Sequence, residues 1–157
     1  MFHCLWHINQ IKLRNSLHAF HQPLIHEMPI HSQDYKVVEI PRLIDVCWLE
    51  IKGKYEMSKL TPGVKYEAGF VVMMKEPVSG WTNSPVTFRL DLPDGTSQSY
   101  DMNLSNVPRN EWNTLPIGEF KATRDAGDIL FSMREIKKNN WKKGLIIKNI
   151  VIRPLYN

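Results

Sequence analysis

The chain has little cysteine, only Cys4 and Cys47 among 157 residues. A small secreted domain stapled by disulfides uses more, so a reducing compartment is expected and the core must hold by packing alone. Long apolar runs are missing too. None approaches the roughly 18 residues of a membrane-spanning helix, and no membrane insertion is expected. Residues 1–20 are interrupted by His3, His7, Lys12, Arg14 and His18. No apolar segment of a signal peptide survives there, so the expected location is cytoplasmic. Absent as well are a glycine-rich phosphate loop, a Gly-x-Ser-x-Gly elbow and a Cys-x-x-Cys pair. Nucleophilic catalysis therefore has no named residue, and neither enzyme activity nor a cofactor is expected. Without alternating helix and strand patterns, an α/β nucleotide-binding fold is excluded.

What is present is the composition of one soluble domain: 43% hydrophobic, 23% charged, net charge +4. That charge permits weak attraction to nucleic acid without demanding it. Ten prolines and eight glycines are spread along the chain, which suits many short strands. All six histidines (His3, His7, His18, His21, His26 and His31) fall in residues 1–35, which read as an N-terminal arm of short strands and loops packed on the domain. Residues 36–157 read as a single globular unit. Cys4 is placed to cross-link two chains under oxidising conditions, and Cys47 reads as a core residue.

The periodicity after the arm is that of strands. Ile44 to Lys52 alternates, with Ile44, Val46, Trp48, Glu50 and Lys52 on one side and Asp45, Cys47, Leu49 and Ile51 on the other. Thr61-Pro62-Gly63 is a turn signal. Lys65 to Lys75 puts Tyr66, Ala68, Phe70, Val72 and Met74 on one face. Val86, Phe88, Leu90 and Leu92 alternate with polar residues up to Pro93-Asp94-Gly95, a hairpin signal. Ser97 to Leu104 is the returning strand. In Trp112 to Phe120, Pro116 requires an edge or a bulge. Ile129, Phe131, Met133 and Glu135 share a face, and the β-branched run Leu145 to Arg153 closes the domain. The fold expected is all-β, a β-sandwich of jelly-roll type.

Several groupings could carry chemistry. His3, Cys4 and His7, and His18 with His21, have spacings that share a helix face. The arm has no helical periodicity, so solvated histidines and no metal site are expected. Glu50 and Glu135 lie on strands that a sandwich could bring together, and glycoside hydrolysis needs two carboxylates about 5 to 9 Å apart. The competing reading of Glu135 is a satisfied core carboxylate. Lys137, Lys138, Lys142 and Lys143 surround Trp141 and read as a solvated hairpin tip, the nucleic-acid grip being the alternative. Five tryptophans remain the best lead: Trp6, Trp48, Trp81, Trp112 and Trp141. A sugar ring has an apolar C–H face and a polar rim, so its site needs a flat aromatic surface flanked by hydroxyl-binding groups. Trp81, in the loop Glu76 to Pro85, is the clearest such platform. Trp48 and Trp141, on or beside strands, read first as core.

Three segments together resemble the Nictaba/phloem protein 2 family of plant lectins, with similarity to the small lectins of cucurbit phloem exudate. They are VCWLEIKGKYEMSKLTPGVKYEAGFVVMMK (Val46 to Lys75), EWNTLPIGEFKA (Glu111 to Ala122) and GDILFSMREIKKNNWKKGLIIKNIVIRP (Gly127 to Pro154). The resemblance implies a jelly-roll sandwich, a homodimer and no catalysis. It implies binding of N-acetylglucosamine oligomers, as in chitooligosaccharides, N-glycan cores and glycoproteins. It also implies a phloem-sap or nucleocytoplasmic location, a part in plant defence, and RNA as a further partner. Two departures stand out: histidines occupy the N-terminal region where the family carries tryptophans, and Glu111 replaces a glycine before Trp112. The expected site is therefore Trp81 and Trp112 as stacking surfaces, Glu50, Asn83 and Glu135 as hydrogen-bonding groups, and Trp48 lining the pocket. An RNA carrier, a structural filament subunit and a glycosidase follow in that order as alternatives.

Overall fold

The computed structural model describes residues 4–6, 10–14, 18–24, 38–45, 47–138 and 140–156, with side chains from Cys47 onward. Two antiparallel sheets face each other. The first has the order β3 (His18–Leu24), β4 (Val38–Asp45), β11 (Lys143–Pro154), β6 (Lys65–Ser79) and β9 (Trp112–Lys121), with β1 (Cys4–Trp6) also paired to β11. The second runs β2 (Gln10–Arg14), β5 (Trp48–Glu56), β10 (Asp128–Glu135), β7 (Val86–Asp91) and β8 (Ser97–Met102). From β4 onward every connection crosses between the sheets except the β7–β8 hairpin, which is the jelly-roll logic expected from the sequence. The histidine and Cys4 readings fall on side chains outside the described residues. Cys47 is a buried free thiol, as read.

The alternation sets which residues meet between the sheets. Leu49, Ile51 and Tyr55 point inward from β5, Tyr66, Ala68, Phe70, Val72 and Met74 from β6, and Ile129, Phe131, Met133 and Glu135 from β10. Phe70 of one sheet and Phe88 of the other meet with ring centroids 6.1 Å apart. One expectation is corrected: Ile44 to Lys52 is not a single strand. The chain leaves the first sheet after Asp45 and enters the second at Trp48, and the apolar alternation runs straight through that corner.

Bulges keep the inward phase where simple alternation would lose it. In β11, Leu145 and Ile147 are buried, then Ile150 and Ile152, and the register against β6 shifts between Ile147 and Asn149. The extra residue returns the apolar side chains to the core. Pro116 sits where the sequence required, on edge strand β9, at a register shift against Ala68 and Gly69. A Cβ at Gly69 would lie 2.6 Å from Thr114 Cγ2 and 3.0 Å from the Leu115 carbonyl, so the close approach there needs glycine. Side chains of β8 lace the open flank: Gln98 Nε2 donates to the Glu119 carbonyl at 2.6 Å, and the Tyr100 hydroxyl donates to the Pro116 carbonyl. The Pro93-Asp94-Gly95 turn forms as read, with Gly95 at φ +88° and the Asp94 carboxylate accepting from Thr96 N–H at 2.9 Å.

Phe70 is fully buried at the contact between the sheets, so Phe70→Ala should lower unfolding free energy by about 3–5 kcal/mol. Urea denaturation measures it. A loss below about 1 kcal/mol would mean that the two inner faces do not meet there.

Candidate functional site

One end of the sandwich is built from the β4–β5 corner, the loop after β6 and the hairpin between β10 and β11. Gly80 adopts φ +88°, and a Cβ there would fall 2.0 Å from the Trp141 carbonyl oxygen, so only glycine lets the loop touch the hairpin. Asn140 clamps the contact: its Nδ2 donates to the Gly80 carbonyl at 2.6 Å, and its Oδ1 accepts from Ser84 Oγ at 3.0 Å. Asn103 Nδ2 holds the loop from the other side through the Thr82 carbonyl at 3.0 Å.

Beneath this surface lies a buried ion pair. Lys142 Nζ is 2.7 Å from Glu135 Oε2, with both side chains essentially inaccessible. The same ammonium donates to the carbonyls of Cys47 at 2.9 Å and Asn140 at 3.0 Å, while Glu135 Oε1 accepts from Lys138 N–H at 3.0 Å. A buried charge pair is tolerated only when its remaining hydrogen-bonding capacity is largely met. Here backbone carbonyls serve the ammonium and a backbone N–H serves Glu135 Oε1, while Oε2 is held by the ammonium alone. Above it, Gly80, Thr82, Asn83, Ser84, Lys138 and Asn140 line an open cleft of about 410 Å³. Trp141, next along the chain from Asn140, is 44% exposed.

This arrangement corrects several sequence-based expectations. Trp81 is 1% exposed, and its indole Nε1 donates to the Lys143 carbonyl at 3.0 Å, so neither ring face is open for stacking. The loop buries its largest apolar side chain against the hairpin. Glu135 is likewise buried, its carboxylate held by Lys142. Glu50 stands opposite Arg134 in the β5–β10 register and Glu135 opposite Leu49, so the two carboxylates project from opposite faces of one sheet and form no acid/base pair. Glu50 is bound instead to Lys52 at 2.8 Å and Arg134 at 3.8 Å.

The six expected residues do not converge. Asn83 lines the end cleft, and half-buried Trp48 begins β5 beside Cys47, whose carbonyl Lys142 holds. Trp112 belongs to the other sheet, 36% exposed, with Lys148 Nζ 5.3 Å from its ring centroid. The lysine-rich tip is also smaller than it reads, because Lys142 is inside. Trp141, read as core, is exposed. Its signal was the loop chemistry of Asn139-Asn140 before it, which no core strand would carry. Among the described residues no group of three metal-ligating side chains occurs. The resolved titration shifts belong to the β7–β8 hairpin. Asp91 raises Arg89, hydrogen bonds from Thr96 lower Asp94, and burial raises Tyr100.

The molecule is thus an antiparallel β-sandwich module that offers an open polar cleft on rigidly clamped loops. The chain belongs to the phloem protein 2 family, whose sequence profile matches residues 18–154. A lectin of Luffa acutangula is 42% identical over 119 residues, 74% of this chain and 56% of that protein. The phloem protein 2-like A2 protein of Arabidopsis thaliana is 42% identical over 118 residues, 74% of this chain and 60% of its own length. The chain spans little more than half the length of these relatives. Among solved structures, a Podospora anserina GH26-CBM35 β-(1,4)-mannanase superposes with TM-score 0.53 at 8% identity, covering 99% of this chain and 28% of that one. That likeness is one of fold.

Lys142→Ala should cost about 3–5 kcal/mol, because it strands the Glu135 carboxylate in the core. Replacing both partners, Glu135→Leu with Lys142→Met, should cost less than the single change. Urea denaturation of the set decides: an effect of Lys142→Ala within about 0.5 kcal/mol would place the ammonium in solvent.

Proposed function

We propose that this chain is a non-catalytic lectin whose end cleft binds N-acetylglucosamine oligomers. The observation that carries the reading is an open cleft lined by Gly80, Thr82, Asn83, Ser84, Lys138 and Asn140, with exposed Trp141 next to Asn140 in the chain at its margin. The Trp141 indole would take the apolar side of a pyranose, while the exposed Thr82 and Asn83 side chains offer donors and acceptors to its hydroxyls and acetamide. Asn140 and Ser84, bonded to each other, hold the wall in place. Membership of the family and likeness to a protein called a lectin support it. Trp48 and Glu50 lie at the start of β5 outside the cleft lining, and Trp112 is a separate aromatic on the other sheet. Recognition alone transfers no proton, so no paired carboxylates are required, and none are assembled by Glu50 and Glu135.

The cleft is shallow and wet, so affinity is modest: a dissociation constant of about 10 μM to 1 mM, roughly −7 to −4 kcal/mol. A homodimer raises apparent affinity for polyvalent glycans through effective concentration. The buried free thiol of Cys47 suits a cytoplasmic or phloem-sap location. RNA is the competing ligand, carried by exposed Lys137 and Lys138.

Isothermal titration with chitotriose, with galactose and glucose oligomers as controls, tests the reading. Saturable heat for chitotriose alone is expected, nearly unchanged between low and high salt, whereas RNA binding would fall steeply with salt. Trp141→Ala should weaken binding at least tenfold and Trp112→Ala little. No heat and no retention on chitin would sink the sugar reading. Loss through Trp112→Ala alone would move the site to the other sheet.

A further inference from the structure

A second cleft of about 550 Å³ opens on the flank of the sandwich, between the segment Asp101 to Pro108 and residues Asn113 to Leu115 of β9. We propose that it is a second saccharide-binding site, separate from the end cleft and taking a single neutral pyranose or the end of an oligosaccharide. The proposal rests on the lectin reading for the ligand class.

The cleft is pre-built. Asn103 Oδ1 caps the single turn Leu104–Asn106 by accepting from Ser105 N–H at 2.9 Å and Ser105 Oγ at 2.7 Å. Arg109 lies behind that turn, its guanidinium donating to the carbonyls of Val107 and Ser105, both at 3.1 Å. Asn113 Nδ2 binds the carbonyls of Glu111 at 3.0 Å and Pro108 at 3.3 Å. With so many loop carbonyls met internally, the walls need no ordering when a ligand arrives, and that saving counts for most in a weak site.

The lining selects the ligand. Met102, Val107, Pro108 and Leu115 give an apolar floor for the C–H face of a ring. Around it stand the Asn106 amide, the Thr114 hydroxyl and the Asp101 carboxylate. Asp101 Oδ1 accepts from Thr87 Oγ1 at 2.6 Å, and Asn113 presents Oδ1 while its Nδ2 is occupied. Exposed Asn106 is engaged in no side-chain hydrogen bond among the described residues and so offers both a donor and acceptor. Uncharged donors mixed with acceptors fit vicinal hydroxyls. An anion is disfavoured, because among the described residues the only charge lining the cleft is the Asp101 carboxylate, and the Arg109 guanidinium is spent on carbonyls and Glu76. A lone carboxylate is too few hard ligands for a divalent cation.

Backbone amide NMR of the full chain titrated with chitotriose tests this. Shifts are expected in two sets, one at Gly80 to Ser84 with Lys138 and Asn140, the other at Asp101 to Val107 with Asn113 to Leu115. The exposed substitution Asn106→Ala should abolish or weaken at least fivefold the flank set and leave the end set unchanged. Shifts confined to the end set overturn the second site and leave the lectin reading standing. Flank shifts alone support the second site and overturn the end cleft. Silence in both overturns the two together.

Discussion

The ammonium of Lys142 gathers three separate stretches of the chain at one buried point. It reaches the β10 carboxylate of Glu135, the Cys47 carbonyl at the corner between β4 and β5, and the hairpin through the Asn140 carbonyl. These contacts tie the β10–β11 hairpin to the β4–β5 corner. The charge can stay in the core because these three oxygens take the place of water, and it stays put because leaving would strand a carboxylate. The loop carrying Trp81 then packs on a hairpin already fixed from below, and the cleft inherits its shape from that anchoring.

Much of the fold was legible because it depends on a period-2 pattern that local sequence records directly. The face holding Tyr66, Ala68, Phe70, Val72 and Met74, the Pro93-Asp94-Gly95 turn and the edge position of Pro116 all follow from backbone geometry that any strand shares. The corner after Asp45 escaped, since alternation continues unbroken through a change of sheet. Bulges in β11 escaped for the converse reason: a run of apolar β-branched residues has no visible phase to lose.

The site was far less legible. A tryptophan in a proline- and glycine-bounded loop looks surplus to the core, yet Trp81 fills it, because the loop folds back on the hairpin instead of projecting. A lysine among lysines looks solvated, yet Lys142 is inside. Both errors have one cause. Burial in these loops is decided by a partner more than fifty residues away, Lys143 for Trp81 and Cys47 for Lys142, and no local pattern encodes such a meeting. Trp141, an exposed ring, was hidden by the opposite assumption that large aromatics near strands face inward.

The lacing of β8 to β9 has a consequence for how copies of this chain can associate. An edge strand normally invites another strand to extend the sheet, with a ladder of free donors and acceptors. On β9 that ladder is defective: Pro116 has no N–H, the register is kinked beside it, and the carbonyls of Pro116 and Glu119 are already taken by Tyr100 and Gln98. A neighbouring chain arriving there finds few bonds to make. Sheet extension through this flank is blocked at the level of the backbone, so a second copy that docks there has to rely on side chains.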